Sequence, residues 1–269
     1  MKRFIDLLFS LLILFCGIAL WYAWRWLPLF ATATPQPVYC VHGHAADTLF
    51  IAMIGDSWTG MHDTSRSDSA VSVDWSLRIG CPLRFVSCGK GGANSGDVYK
   101  LMFHQHLPID SFSSQSLIQQ RPDYCIITVG INDANQNVGT NFYCVNSQLI
   151  ITHLLRCGIR PVFVEVPDVD LRHVYGDKCL KDRLADTYKA FLTGTSLFNV
   201  AEYRHTLRRN LEESKMIDSV LYVSCDMWNP NGYRDTSLYL ADRIHLNTKG
   251  YSRLDSCLLS VIMNDVDGK

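Results

Sequence analysis

Four small polar clusters in this 269-residue chain carry the residue types that acyl transfer requires. The first, Gly55-Asp56-Ser57, closes an apolar run. The second is a glycine-rich stretch, CGKGGANSGD, from Cys88 to Asp97. The third is GIND, Gly130 to Asp133, and the fourth is ADRIHLNTKGY, in which Asp242 precedes His245 by three positions. A serine hydroxyl is a weak nucleophile and needs a base within hydrogen-bond reach. His245 is the candidate base, because imidazole titrates near neutrality. Its second ring nitrogen needs an acceptor to fix the tautomer and stabilise the cation, and Asp242 is close enough in sequence to serve. The oxyanion of a tetrahedral intermediate needs preorganised donors. Asn132 offers a side-chain NH₂, and Ser57 and a glycine of the second cluster offer backbone N–H groups.

Taken singly, each cluster has an ordinary explanation. Gly, Asp, Ser and Asn are turn formers, and Asp242 and His245 could serve a loop. Their placement among the secondary elements is more telling. Leu49 to Ile54, Leu83 to Cys88, Tyr124 to Val129, Pro161 to Val166 and Val220 to Val223 are near-continuous apolar runs. Runs of that kind suit strands buried on both faces. Helical stripes lie between and after them: Val98, Leu101, Met102 and Gln105; Phe142, Val145 and Leu149, in a segment stopped by Gly158; Leu180, Leu184, Tyr188 and Phe191; Tyr203, Leu207 and Leu211; Tyr251, Leu254, Leu258 and Val261. Ala70 to Ile79 fits either period. It is read as a helix with Ala70, Val73 and Leu77 on one face, because a parallel crossover needs one. The alternation predicts an α/β fold with a five-stranded parallel sheet covered on both faces. Such sheets bind ligands beyond the carboxyl ends of their strands. The four clusters all fall there, from distant parts of the chain.

In order, IGDSWTG, the glycine stretch, GIND and DRIHLNTKGY resemble the four signature blocks of the SGNH (GDSL-like) hydrolase superfamily. The likeness runs from roughly Leu49 to Met263, and DRIHLNTKGY together with GDS and GIND is its most specific part. The resemblance implies a three-layer α/β/α sandwich resembling flavodoxin. It implies Ser57 as nucleophile, His245 as base and Asp242 as its partner. The oxyanion hole would be the Ser57 N–H, a second-block glycine N–H and the Asn132 side chain. It also implies hydrolysis of esters or thioesters, often acetyl groups on carbohydrates, with no metal and no cofactor. Two departures stand out. Trp58 occupies the position of the family's name-giving leucine, and the second block, SCGKGGANS, lacks the asparagine that often opens it. Its G-x-x-G spacing places the oxyanion glycine at Gly92, with Gly89 and Gly91 left open.

The N-terminus has a different character. From Leu7 to Trp24 no residue is charged, and 18 helical residues would extend about 27 Å, close to the bilayer's apolar thickness. Lys2 and Arg3 precede the run, and Trp21, Tyr22, Trp24 and Trp26 cluster at its far end. These features predict a transmembrane helix with the rest of the chain extracytoplasmic. Ala31-Thr32-Ala33 offers the alternative of a cleaved leader and a secreted or periplasmic product. The expected organisation is residues 1–30 as anchor or signal segment, 31–47 as linker and 48–269 as hydrolase domain. The net charge of −1 provides no electrostatic footprint for nucleic acid. Nine of the ten cysteines follow the anchor, with no Cys-x-x-Cys pair. Cys88, Cys125 and Cys225 read as small buried hydrophobes.

Other residues are assigned smaller parts. Lys90 lacks the following Ser or Thr of a phosphate loop. His42-x-His44 and His104-x-His106 lack the clustered carboxylate or cysteine that a metal site needs. Asp56 is expected to stabilise its turn, and Asp168 and Asp170 to sit in a solvated loop near the site. Trp228 and Tyr233 either stack on a sugar or pack structurally. The expected activity is that of a membrane-anchored serine esterase acting on an O-acetylated envelope or extracellular carbohydrate. A lipid or thioester hydrolase with the same triad is one alternative. A catalytically silent glycan-binding or scaffold protein is the other.

Overall fold

An uninterrupted apolar run becomes a strand only where helices can cover both of its faces. The computed structural model, which describes residues 2–26, 47–103, 114–197 and 199–267, places five strands; the three central ones meet that condition, while at the edges Leu83–Gly89 buries only Phe85 and Leu221–Val223 only Val223. The five are β1 (Leu49–Gly55), β2 (Leu83–Gly89), β3 (Tyr124–Thr128), β4 (Arg160–Val164) and β5 (Leu221–Val223). All pairings are parallel, in the order β2-β1-β3-β4-β5. Every residue of β3 is buried, as are all but the first of β1 and of β4. The strand order changes direction between β1 and β3, so the crevice that such a sheet offers a ligand opens beyond Gly55 and Thr128.

Both faces carry helices. Helix Asp68–Ile79 packs on β2, and helix Thr248–Asp267 on β5 and on helix His62–Arg66. Helix Thr140–Arg156 packs on β4, flanked by Ser95–Leu101 and Val200–Glu213. Local chemistry sets their ends. The Asn94 side chain accepts from the Asp97 N–H at 3.0 Å and Asp97 reaches back to the Asn94 N–H, a capping box. Helix Asp68–Ile79 stops where Gly80 turns left-handed at φ +80°.

Three amphipathic faces differ from expectation. In Asp68–Ile79 the buried pair is Val71 and Trp75, while Val73 and Leu77 face water. The Trp75 ring meets Phe85 edge-on at 5.4 Å, so the bulkier stripe wins the core. In Thr140–Arg156 the buried face holds Tyr143, Cys144, Ser147, Ile150, Ile151 and Leu154; Phe142, Val145 and Leu149 lie at its border. Helix Leu180–Thr193 is turned the opposite way, with only Tyr188 of its expected stripe half-buried. Its buried residues are Asp186 and Ala190, whereas Leu180, Leu184 and Phe191 are exposed. Asp186 is drawn inward by Lys178 and Lys189, whose Nζ atoms lie 2.8 and 3.6 Å away. Leaving such apolar side chains in water forgoes roughly 1.5–3 kcal/mol for each. The stripes at Tyr203, Leu207 and Leu211 and at Tyr251, Leu254 and Leu258 are buried as expected.

Residues Lys2–Trp26 form a helix. Among the described residues no helix is long and apolar enough to cross a membrane. The expected span includes Leu7 and residues 22–24, whose side chains lie outside the described ones. Residues 31–46 of the expected linker, with Ala31-Thr32-Ala33 and His42-x-His44, are also outside the described residues, as are Gln105 and His104-x-His106. Cys125, Cys144 and Cys225 are buried and form no disulfide, while Cys88, expected to be buried with Cys125 and Cys225, is half-buried at the sheet edge.

One buried charge shapes the helical layer beside β2. His62 is fully buried, its Nε2 3.0 Å from Asp255 Oδ1 and its Nδ1 3.5 Å from Asp68 Oδ1. Burial disfavours its charge, but the two carboxylates outweigh that and raise its pKa to about 9. The raised value makes the native state the stronger proton binder. The stabilisation is complete below the ordinary histidine pKa and is lost as pH rises through about 9. Urea-unfolding free energies should fall between pH 6.5 and 9 by an amount on the order of 3 kcal/mol, and His62→Gln should remove that slope. An unchanged pH slope in the variant would show that His62 does not cause it.

Candidate active site

Gly55 ends β1 in van der Waals contact with β3: a Cβ there would lie 2.2 Å from Thr128 O. The Asp56 N–H then donates to that same Thr128 carbonyl at 3.0 Å. The Asp56 carboxylate caps the short helix Ser57–Gly60 by accepting from Trp58 N–H at 3.0 Å. Across the turn, the Thr59 and Thr128 hydroxyls are 2.8 Å apart. Asp56 is thus a turn-stabilising residue, as its sequence position suggested. Burial pushes its carboxyl up to about 7; the Trp58 N–H opposes the shift and nearby Asp133 adds to it. The result is a rigid corner with Ser57 at its tip.

The fourth cluster is bent just as firmly. Asp242 Oδ1 accepts from the backbone N–H groups of Ile244 and His245, both at 3.0 Å. Arg243 between them takes a left-handed φ of +56°, an uncommon conformation for a side chain of its size. Asp170 steadies it: its N–H donates to Arg243 O at 3.3 Å, and its Oδ2 lies 3.5 Å from Arg243 NH1. Leu240 N–H donates to His245 O at 2.8 Å, and Tyr239 bridges Leu246 in antiparallel fashion. The consequence is a continuous chain of side chains. His245 Nδ1 lies 2.6 Å from Asp242 Oδ2, and His245 Nε2 lies 2.9 Å from Ser57 Oγ. Burial alone would raise the Asp242 carboxyl. The His245 ring and the Ile244 and His245 N–H groups reverse that and hold it below the usual carboxylate value. Asp242 is therefore an anion at neutral pH, as a partner of an imidazolium must be.

Asn132 begins the turn of helix Ile131–Gln136 that follows β3. Its Nδ2 donates to Ala93 O at 3.0 Å, which sets the amide beside the second cluster. That cluster is fixed from the same helix: Gln136 Nε2 donates to Gly92 O at 2.9 Å and accepts, at Oε1, from Asn94 Nδ2 at 2.8 Å. Asp133 receives Ser95 Oγ–H at 2.5 Å and Ser95 N–H at 2.9 Å. Burial raises its carboxyl to about 7 despite those bonds. The three candidate glycines differ. Gly92 is left-handed at φ +74°, with open space where a Cβ would stand, and Gly91 is open too. Gly89 is packed against the first cluster, and a Cβ on it would come within 2.2 Å of Gly60 N and 2.5 Å of Asp56 O.

Trp58 matters more than its sequence position implied. Its indole N–H donates to Ile244 O at 3.0 Å, and its carbonyl accepts from Tyr251 OH at 2.8 Å. Nothing in the spacing of the motifs announces this tie, because its two partners lie in the fourth cluster and the last helix. Trp228, offered as a sugar-stacking residue, is buried and meets Trp58 edge-on at 5.8 Å. It packs structurally because that position sits beneath the site. Tyr233 is half-buried and lines a cleft of about 370 Å³ with Asp168, Asp170, Arg172, Asn199 and Arg234. Asp168 is paired with Arg204 at 3.2 Å. Lys90 is exposed. Among the described residues no group of three or more His, Cys, Asp or Glu could hold a metal ion.

A sequence profile described as the GDSL-like Lipase/Acylhydrolase family matches residues 53–253. No curated protein matches the sequence. Solved structures share its fold. A GDSL-like lipase from Bacteroides thetaiotaomicron superposes with a TM-score of 0.55 at 13% identity, covering 88% of this chain and 96% of its own. The acetylxylan esterase of Geobacillus stearothermophilus has a TM-score of 0.52 at 16% identity, covering 79% and 93%. A psychrotrophic esterase from a Pseudoalteromonas species, inhibited by monoethylphosphonate, has a TM-score of 0.54 at 11% identity, covering 81% and 99%.

The packing of Gly89 makes a test of the corner itself. Gly89→Ala should destabilise the protein by about 3 kcal/mol or more, since backbone rather than side-chain atoms must give way. Gly91→Ala, with open space around it, should change the melting temperature little. Equal melting temperatures for the two variants would show that β2 does not press on the Ser57 turn.

Proposed function

The chain belongs to the GDSL-like lipase/acylhydrolase family, and from that membership as a serine hydrolase we propose an esterase mechanism centred on Ser57. His245 Nε2 takes the Ser57 proton as Oγ attacks the ester carbonyl. Asp242 holds the Nδ1 proton and balances the imidazolium. The oxyanion rests between one Asn132 Nδ2–H, the Ser57 N–H and the Gly92 N–H. The imidazolium returns its proton to the leaving alcohol. Water, deprotonated by His245 in turn, releases the acid and restores Ser57. The observation that carries this reading is the 2.9 Å approach of His245 Nε2 to Ser57 Oγ. Gly92 is preferred as the glycine donor because it stands in the open beside the residue that Asn132 contacts. Gly89 is accounted for by packing.

The proposed substrate is an O-acetyl ester on an envelope or extracellular carbohydrate. Two observations favour it. The uncharged run from Leu7 to Trp24 behind Lys2 and Arg3 suits an anchor that leaves the catalytic domain outside the membrane. The fold is shared with an acetylxylan esterase. No cofactor enters the scheme.

Fluorophosphonate labelling followed by peptide mapping is the direct test. The label should appear on the Ser57 peptide and vanish with Ser57→Ala; labelling that survives the substitution would end the proposal. Asp242→Asn should lower kcat on the order of 10³–10⁴-fold, and Asn132→Ala about 10²–10³-fold. Among p-nitrophenyl esters, acetate should be turned over faster than octanoate. The opposite order would favour a lipid or thioester substrate.

A further inference from the structure

Helix Leu180–Thr193 presents its apolar side to the outside. Leu180 is 72% exposed, Leu184 62% and Phe191 81%. Their positions, i, i+4 and i+11, fall within one narrow arc of a helix. Exposed Lys181 borders the arc. The buried side is held by Asp186 and its two lysines, so the outward turn is fixed by charge pairing rather than by a loose fit. Contiguous exposed apolar patches on a soluble surface mark interaction sites.

The N-terminal helix indicates what covers this one. Tyr188, on the same side of helix Leu180–Thr193, donates its OH to Ala19 O at 3.1 Å. Ala19 is half-buried, while its neighbours Ile18 and Leu20 are exposed. Farther along the N-terminal helix, Phe9, Leu12 and Phe15 are exposed as well. The Tyr188 hydroxyl thus joins the two helices, and each presents exposed apolar residues. Ala19 lies five residues before Trp24, about 7.5 Å along a helix from the far end of the apolar run. An amphipathic helix lying in a membrane interface sits roughly 5–10 Å deep. The two depths agree.

We propose that helix Leu180–Thr193 lies in the outer lipid interface, with Leu180, Leu184 and Phe191 inserted among the acyl chains beside the N-terminal helix. This inference rests on the anchored reading above and adds to it. Lys178, just before the helix, donates to Asn135 O at 3.3 Å and Asn135 Oδ1 at 3.1 Å. Asn135 is one turn beyond Asn132, so the lipid-seated helix and the catalytic rim are joined by a single side chain. An esterase held in that way meets esters at the membrane surface rather than deep in solution.

The full chain, reconstituted in phosphatidylcholine–phosphatidylglycerol vesicles, supplies the test. p-Benzoylphenylalanine replaces Phe191, Leu12 or Asp182 in turn, and peptide mass mapping after irradiation reads the adducts. Phospholipid adducts are expected at positions 191 and 12 and absent at position 182, on the polar side of the helix. Adducts at position 12 alone would overturn the seat of helix Leu180–Thr193 and leave the anchor standing. A covalent dimer formed through position 191 would assign the face to a second copy and overturn the proposal. No adduct at either position would overturn seat and anchor together. Fluorophosphonate labelling of each variant keeps these outcomes separate from any failure of the esterase reading.

Discussion

One hydrogen bond, from the Trp58 indole to the Ile244 carbonyl, spans 186 positions of sequence and joins the two loops that meet over the sheet. On one side of it stands Ser57, on the other His245. A displacement of about 1 Å at such a site can cost 10²-fold in rate, so the value of this bond lies in fixing a distance more than in its own strength. Tyr251 adds a second tie, from the last helix to the Trp58 carbonyl. The corner after β1 and the loop before the final helix thus form one rigid unit. Neither is free to adapt separately.

The surrounding polar groups serve that rigidity at a cost in solvation. Asp56 and Asp133 are buried carboxylates raised toward neutrality. Each is retained because it holds a turn that backbone bonding alone leaves unsatisfied: Asp56 at the start of the Ser57 helix, Asp133 at the Ser95 turn. Buried polar groups are tolerated when their partners are in place and are expensive otherwise. The ladder of β2, β1 and β3 keeps these turns at fixed spacing, since its parallel register aligns Gly55 with both Gly89 and Thr128.

The sheet and the reacting groups were legible in the sequence because both depend on local patterns. The most uninterrupted apolar runs became the central strands β1, β3 and β4, and polar clusters follow β1 and β3 directly. Ser57, His245 and Asp242 came together as expected, and Asn132 came to lie beside the glycine loop. Helix faces were less legible. In Asp68–Ile79 two stripes of similar hydrophobicity competed, and the choice depended on Phe85 being across from Trp75. In Leu180–Thr193 an aspartate took the inner side because Lys178, outside the helix, was there to pair with it. The role of Trp58 was hidden for the same reason. Periodicity reports what a segment can bury, while the neighbour that decides is supplied by another part of the chain.

The order of the clusters along the chain has a bearing on biosynthesis. Ser57 precedes His245 by 188 positions. While the chain between them is being made, the hydroxyl has no imidazole beside it. Tyr251 and Gly250, which lock the returning loop against Trp58 and Leu238, are made later still. On the proposed mechanism, the serine is unarmed until the loop that carries His245 has been made and docked.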